Sequence, residues 1–496
     1  MATLWLYAHP RVYSIVMRRV DKDESVAVLS VETLSQALNA GALRSEALLT
    51  QCFARIHDAR GEGARTFIRL FEEQAMAAAR AVDRVRQNLN LNLDLNPQAL
   101  KHGGGLSPYA GIPISVKDLF DLRGSVTTAG SRVLHGSAPA AQDALAVQRL
   151  RQAGFIVVGA TNMTEFAYSG LGINPHYGTP LNPFERQLGR IPGGSSSGAA
   201  VAISDGFAAA SLGTDTGGSC RIPAALCGLV GFKPTASRIP RAGVYPLSPS
   251  LDAVGTMGAS VTTCAILDAV LSGSAYQDIQ WSPPPRPLSG LRLAVPQQWV
   301  LNEMDAEVSR VFDRALEHLR GVGAQVTDLE LPELERLPRI NSKGGFVAAE
   351  AYAQHREALM GYANQYDPRV RSRILQGELQ TDADYHELLM ARSDLMARVT
   401  LKAQSYDALL MPTVPVVAPL LSVLEDERIY HETNLLMLRN PSIANFLDRC
   451  AISLPCHSEG EVPVGLMLMG TQGGDADLLS IARCVEQGLA GDRWGG

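Results

Sequence analysis

The sequence predicts an α/β fold, and three observations carry that prediction. Short apolar runs at residues 112–116, 155–159 and 291–295 read as buried strands, while 143–153 and 303–320 carry helical periodicity. Glycine-bearing turns separate the two kinds of segment, as Gly321 and Gly323 do between the helix at 303–320 and the strand at 324–329. The composition, 46% hydrophobic and 19% charged over 496 residues, is that of a globular chain long enough for one large core or for two or three ordinary domains.

Organised sequence begins near residue 30. Ser30 is placed to cap a helix, Glu32 favours its first turn, and Leu34 and Leu38 share one face before residues 39–41 break the pattern. Ser45 is expected to cap a second helix with Leu48, Leu49, Phe53 and Ile56 on its apolar side, and 70–87 reads as a third, amphipathic helix. Residues 88–105 read as a polar loop ending in His102-Gly103-Gly104-Gly105, after which 112–116 forms a strand that delivers Lys117 at its end. Residues 199–210 read as a small-residue helix or a turn-rich core segment, and 406–412 and 464–470 return to strand-like sequence. The charged helical stretch 335–400 is expected to line or cover a site rather than build its centre. No fixed-period repeat or coiled-coil heptad is found.

Composition narrows the function. A net charge of −6 without a dominant basic block predicts no direct nucleic-acid binding. No stretch approaches the roughly 20 continuous apolar residues that span a bilayer, so no membrane association is expected. The seven cysteines include no Cys-x-x-Cys pair and read as reduced thiols of a cytoplasmic protein. His9, Pro10 and Arg11 interrupt the apolar start before a signal-peptide core develops, and residues 1–29 are expected to be an extension of uncertain order without chemistry. No His-Glu-x-x-His pair or nucleotide-binding glycine loop is present, so neither a metal nor a cofactor is inferred.

Two serine-bearing glycine loops stand out, Gly193-Gly194-Ser195-Ser196-Ser197-Gly198 and Gly213-Thr214-Asp215-Thr216-Gly217-Gly218-Ser219. Ser195 and Ser219 lie 24 residues apart, and Lys117 stands upstream in Gly111-Ile112-Pro113-Ile114-Ser115-Val116-Lys117-Asp118. Two hydroxyls and an amine are sufficient parts for acyl transfer on an amide, provided burial keeps the amine neutral enough to act as a base. No histidine is required.

These loops, their spacing and the lysine segment resemble the amidase signature family, over roughly residues 30–480. The resemblance implies a single domain at 30–490 with a central mixed β-sheet surrounded by helices, and a variable substrate-pocket region at 335–450. It implies a small-molecule carboxamide substrate cleaved through an acyl-enzyme, with ester or carbamate side activity open. Ser219 corresponds to the nucleophile, Ser195 to a bridging serine held by a cis peptide, and Lys117 to the terminal base. The oxyanion hole is assigned to the turn at Thr216, Gly217, Gly218 and Ser219. Ser196 and Thr214 are candidates for orienting the serines, and Asp215 and Arg221 for a structural ion pair. The acyl-binding wall is expected after Met163, where Phe166 and Tyr168 either touch substrate or pack the core; His431, Asn434 and Asn445 are candidate hydrogen-bonding groups. A homodimer is implied by resemblance to stand-alone members.

Two alternatives stand beside this reading. Gly194-Ser195-Ser196-Ser197-Gly198 also matches G-x-S-x-G, which makes Ser196 the nucleophile of an α/β-hydrolase-like esterase with Asp407 and His431 or His457 as partners, and His102-Gly103-Gly104-Gly105 as its oxyanion motif. The esterase reading leaves the second loop and Lys117 unexplained. The catalytic component of a glutamyl-tRNA amidotransferase resembles the chain in the same loops, and would work within a complex.

Overall fold

The computed structural model describes residues 30–95, 106–274 and 287–490. Both the extension expected at 1–29 and the His102-Gly103-Gly104-Gly105 motif lie outside these residues. The strands are β1 (Phe67–Leu70), β2 (Pro113–Lys117), β3 (Ile156–Thr161), β4 (Ala210–Asp215), β5 (Val230–Lys233), β6 (Ala253–Gly258), β7 (Arg292–Pro296), β8 (Gln325–Leu329), β9 (Ala408–Pro412), β10 (Ala451–Pro455) and β11 (Gly465–Met469). They form one 11-stranded sheet in the order β1-β3-β2-β4-β6-β5-β10-β11-β9-β7-β8. β2 runs parallel to β3 and β4, β7 runs parallel to β8 and β9, and the pairs between those groups are antiparallel. The sheet is therefore mixed, with helices packed around it.

Strands covered on both faces read as apolar runs without polar alternation. In β9 and β11, Leu410, Leu466 and Leu468 enter one core cluster and Leu409, Met411, Met467 and Met469 enter another. Each fully buried side chain of this size stabilises the fold by about 1.5–3 kcal/mol. The runs at β2, β3, β7, β9 and β11 were legible for this reason, whereas β8 (Gln-Val-Thr-Asp-Leu), exposed at three of its five positions, was legible from the glycine stop that separates it from the preceding helix. β4 (Ala-Ser-Leu-Gly-Thr-Asp) and β5 (Val-Gly-Phe-Lys) were not, because glycine and serine imitate a loop. Their glycines answer to close packing instead. A Cβ on Gly213 of β4 or on its β6 partner Gly255 would lie 2.9 or 2.8 Å from the Cys220 sulfur, and one on Gly231 would lie 2.6 Å from the Cys220 carbonyl oxygen.

Two helical expectations change. Ser45 is the first residue of its helix, Ser45–Ile56, and its hydroxyl donates to the Gly111 carbonyl at 2.7 Å. The cap comes from another helix, where the Asp83 carboxylate accepts from the amides of Ser45 and Glu46 at 2.9 and 3.0 Å. The third helix runs Glu72–Leu95, longer than expected and into the segment read as loop.

Between β8 and β10 lies a helical wall. It comprises Gly345–Tyr362, Pro368–Leu375, Asp382–Ala403 and Glu427–Phe446, beside β9. Thr381 and Asp384 form a reciprocal capping box at the start of Asp382–Ala403, and the Asp367 carboxylate accepts from Arg369 N ahead of Pro368.

Candidate active site

Parallel neighbours bring their carboxyl ends to one edge of a sheet, and this is how β2 and β4 assemble the site. Ser115 pairs with Ser211 and Val116 with Leu212, so Lys117 emerges beside Gly213 and Thr214. Its Nζ donates to Ser195 Oγ at 2.7 Å and to Thr214 Oγ1 at 3.0 Å. The side chain is fully buried, and burial lowers its amine to about 8 from 10.5 against the opposing influence of Cys220, Asp215 and Asp252. At pH 7 about a tenth of the amine is thus neutral, and the neutral fraction grows as pH passes through about 8.

Ser195 follows a cis Gly194–Ser195 peptide bond. Its carbonyl accepts from Thr164 N at 3.0 Å, and Gly194 N donates to the Gly170 carbonyl at 2.8 Å. The helix Ser197–Ser204 starts directly afterwards and packs tightly: a Cβ on Gly198 would lie 2.4 Å from the Thr66 carbonyl oxygen. Ser196 N donates to the Ser219 carbonyl at 3.3 Å, which ties the two serine loops together.

The second loop is braced by a buried ion pair. Arg221 reaches Asp215 through Nε at 3.0 Å and Nη2 at 2.8 Å, a two-pronged contact with both side chains fully buried. Asp215 also accepts from the amides of Gly218 and Cys220, at 2.8 and 3.1 Å. Burial alone would raise the Asp215 carboxyl; Arg221, with Lys233 and Asn445, holds it well below the usual carboxylate range. Asn445 belongs to this bracing, donating to the Asp215 carbonyl at 2.8 Å and accepting from Arg221 at 2.7 Å. The Gly218 amide is committed to Asp215 and is removed from the expected oxyanion donors. Thr216, Gly217 and Ser219 line a cavity of about 910 Å³.

Other expected residues divide by position. Tyr168 and His431 line the cavity. Phe166 does not: it packs with Tyr245, His355 and Tyr366 at ring-centroid distances of 5.6, 4.3 and 5.4 Å. Met163 is buried, with its carbonyl accepting from Asn174 at 2.7 Å. Asn434 is turned inward, where its Oδ1 accepts from Ser169 Oγ at 2.8 Å and Gly170 N at 2.9 Å. Ser196 lies under Gly213, where a Cβ would come within 3.0 Å of its hydroxyl, and Asp407 accepts from Arg292 N at 2.8 Å at the start of β9. Neither Ser196 nor Asp407 lines the cavity. The Cys220 thiol faces the core, donating to the Thr214 carbonyl at 3.5 Å, and burial pushes it up to about 12.

Sequence reading passed over Asp252. Its carboxylate accepts from Thr216 Oγ1 at 2.5 Å and from the amides of Leu247 and Ser248, so it fixes the turn beside Ser219. A lone aspartate ahead of a strand gives no signal that would have found it. Among the described residues, no group of three or more His, Cys, Asp or Glu side chains is arranged to hold a metal ion, and no helix is long and apolar enough to cross a membrane.

A buried amine bonded to one serine, and a second serine on a glycine turn at a cavity wall, define an acyl-transfer site of the serine-hydrolase kind. The chain belongs to the amidase family: the model described as Amidase matches residues 47–479. It is 34% identical over 466 residues to the 2-amino-5-chloromuconic acid deaminase of Comamonas testosteroni, covering 93% of this chain and 96% of that protein. A glutamyl-tRNA(Gln) amidotransferase subunit of Chloroflexus aggregans is 32% identical over 491 residues, covering 92% of this chain and 96% of that protein. A crystal structure of an amidase matches the fold with a TM-score of 0.80 at 31% identity, over 92% of this chain and 99% of that one.

Proposed function

We propose that the chain hydrolyses the C–N bond of a small carboxamide through an acyl-enzyme on Ser219. The observation that carries this reading is the 2.7 Å bond from the buried Lys117 amine to Ser195, on the loop tied to Ser219. Neutral Lys117 accepts a proton from Ser195 as Ser195 accepts one from Ser219, whose oxygen attacks the carbonyl. The tetrahedral oxyanion is met by the amides of Thr216, Gly217 and Ser219. Collapse expels the amine, protonated by the same relay run backwards, and water then enters by the same route to release the acid. Asp215, Arg221 and Asn445 hold the turn, and Thr214 orients the lysine.

A fluorophosphonate probe followed by peptide mass spectrometry tests this assignment. The expected result is a Ser219 adduct that disappears in Ser219→Ala and is strongly reduced in Lys117→Ala, with ammonia release from simple amides following the same order. Labelling of Ser196 would overturn it.

The amidotransferase likeness favours one rival job, transfer of glutamine-derived ammonia inside a complex. Hydrolysis by the isolated chain supports the free-standing reading, whereas glutamine-dependent transamidation that requires copurifying partners reverses it. The reading includes a cytoplasmic homodimer: resemblance to stand-alone members supports the pairing, and seven buried cysteines, none joined in a disulfide, fit a reducing compartment. Sedimentation and cell fractionation test those two points.

A further inference from the structure

Residues 247–252, Leu-Ser-Pro-Ser-Leu-Asp, lie directly ahead of β6 and are gripped from two sides. Toward the nucleophile, one oxygen of Asp252 accepts from Thr216 Oγ1 at 2.5 Å, and the other accepts from the amides of Leu247 and Ser248 at 3.0 and 3.1 Å. The segment is thus folded around the carboxylate that holds Thr216. Leu247 and Leu251 line the cavity together with Thr216, Gly217 and Ser219.

The other grip comes from the helical wall. Ser248 and Ser250 flank Pro249, which has no amide to donate, and both send their hydroxyls to Glu350 on the helix Gly345–Tyr362. Glu350 Oε2 accepts from Ser248 Oγ at 2.5 Å and from Ser250 N at 3.1 Å, while Oε1 accepts from Ser250 Oγ and, at 2.7 Å, from the Tyr385 hydroxyl. Hydrogen bonds to an ionised carboxylate are the stronger kind, and here every one of them ends on the same side chain. Arg392 adds a second tie, donating to the Ser250 carbonyl at 3.1 Å and to the Phe446 carbonyl at 2.8 Å. Glu350 itself does not line the cavity, whereas Val347, one turn earlier on the same helix, does. Its route to the reaction therefore runs through residues 247–252.

We propose that Glu350 is a positioning residue: by clamping residues 247–252 it fixes Asp252, and through Asp252 the Thr216 side of the oxyanion turn. This rests on the amidase reading for the reaction. The path has three links, Glu350 to Ser248 Oγ, Ser248 N to Asp252, and Asp252 to Thr216 Oγ1. Releasing the first link lets the last one drift, and a small displacement at a reacting group costs about 10- to 100-fold in rate. Because Glu350 touches no substrate, its loss falls on kcat and leaves KM near the parent value.

A double-mutant cycle tests the path. Glu350→Ala and Thr216→Val, which keeps the Thr216 amide, are made singly and together in the full-length chain, and steady-state hydrolysis of acetamide, butyramide and hexanamide is followed. Each single change is expected to lower kcat about 10- to 100-fold with KM nearly unchanged, and the double variant to be no slower than the slower single one, since both cut the same path. Glu350→Gln keeps an acceptor for Ser248 and Ser250 and is expected to recover most of the loss, which a folding defect at this position would not predict. Losses that multiply, or a rise in KM with kcat unchanged, overturn the proposal. Amide hydrogen exchange supplies a readout without substrate: Glu350→Ala should speed exchange in peptides spanning 245–253 and 213–221, and acceleration confined to the first overturns the link to the turn. Coupled exchange in a chain that hydrolyses no amide and takes no fluorophosphonate on Ser219 would overturn the amidase reading and leave the clamp standing.

Discussion

The carboxyl edge of β2 and β4 and the helical wall at 337–446 face the same cavity, yet they are built on opposite principles. At the edge, Lys117, Ser195, Asp215 and Arg221 have no exposed surface, and their polar groups are hydrogen-bonded to one another. On the wall, Leu379 and Leu435 are 78% and 54% exposed. A reacting group must be held to within fractions of an ångström, so it is surrounded by protein. A group that receives different substrates leaves surface for them to cover, so changes at the edge should abolish chemistry or unfold the chain, and changes on the wall should redirect it.

The largest break is expected from Ser219→Ala, with amide turnover falling at least about 10⁴-fold in a steady-state assay while the unfolding midpoint stays near the parent value. Arg221→Ala comes next. It strands the Asp215 carboxylate in the interior, and denaturant unfolding should show a loss of about 3–5 kcal/mol.

Lys117→Met separates chemistry from stability. The folded lysine titrates near 8 instead of 10.5, so between those values the native chain binds fewer protons than the unfolded chain, and parent stability rises with pH. Below pH 8 the parent bears the cost of a buried charge. Lys117→Met should therefore be more stable than the parent at pH 7, by about 1–3 kcal/mol, and should lose that advantage as pH climbs to 10.5. Parent kcat/KM should climb as pH passes through about 8, and unfolding curves and pH–rate profiles check the two halves. At the other end of the scale, Leu435→Ser should alter stability by no more than about 0.5 kcal/mol while changing KM several-fold, as measured on a panel of amides of differing acyl length.

These differences also explain what the sequence disclosed. The double-glycine loops and Lys117 were legible because close backbone approach demands glycine and because their spacing matches a known family. The ion pair of Asp215 with Arg221 was legible through the family resemblance, which places both residues around the nucleophile. Asp252, Glu350 and the commitment of Gly218 N to Asp215 were hidden, since each depends on a contact across long sequence separations or on the direction of one amide. Phe166, Asn434 and Asn445 carry side chains as suited to a pocket as to a core, and only packing distinguishes the two. Strand β4 escaped notice because its glycine obeys the proximity of Cys220 and its Ser211 pairs with Ser115 across the sheet, neither of which follows β-propensity.

Gly218 carries a consequence for how such a site changes over time. Its φ is 125°, and a Cβ there would lie 2.7 Å from Pro441 and Ile222. Pro441 sits inside the helix Glu427–Phe446, so the nucleophile turn and that part of the wall touch with no slack. Like a vice, the cavity has one jaw welded to the frame near Pro441 and one that can be recut, formed by 337–379. New acyl preferences are expected to arise by substitution in the second jaw, and libraries built there should retain folded, Ser219-reactive enzymes at a higher frequency than libraries built around Pro441.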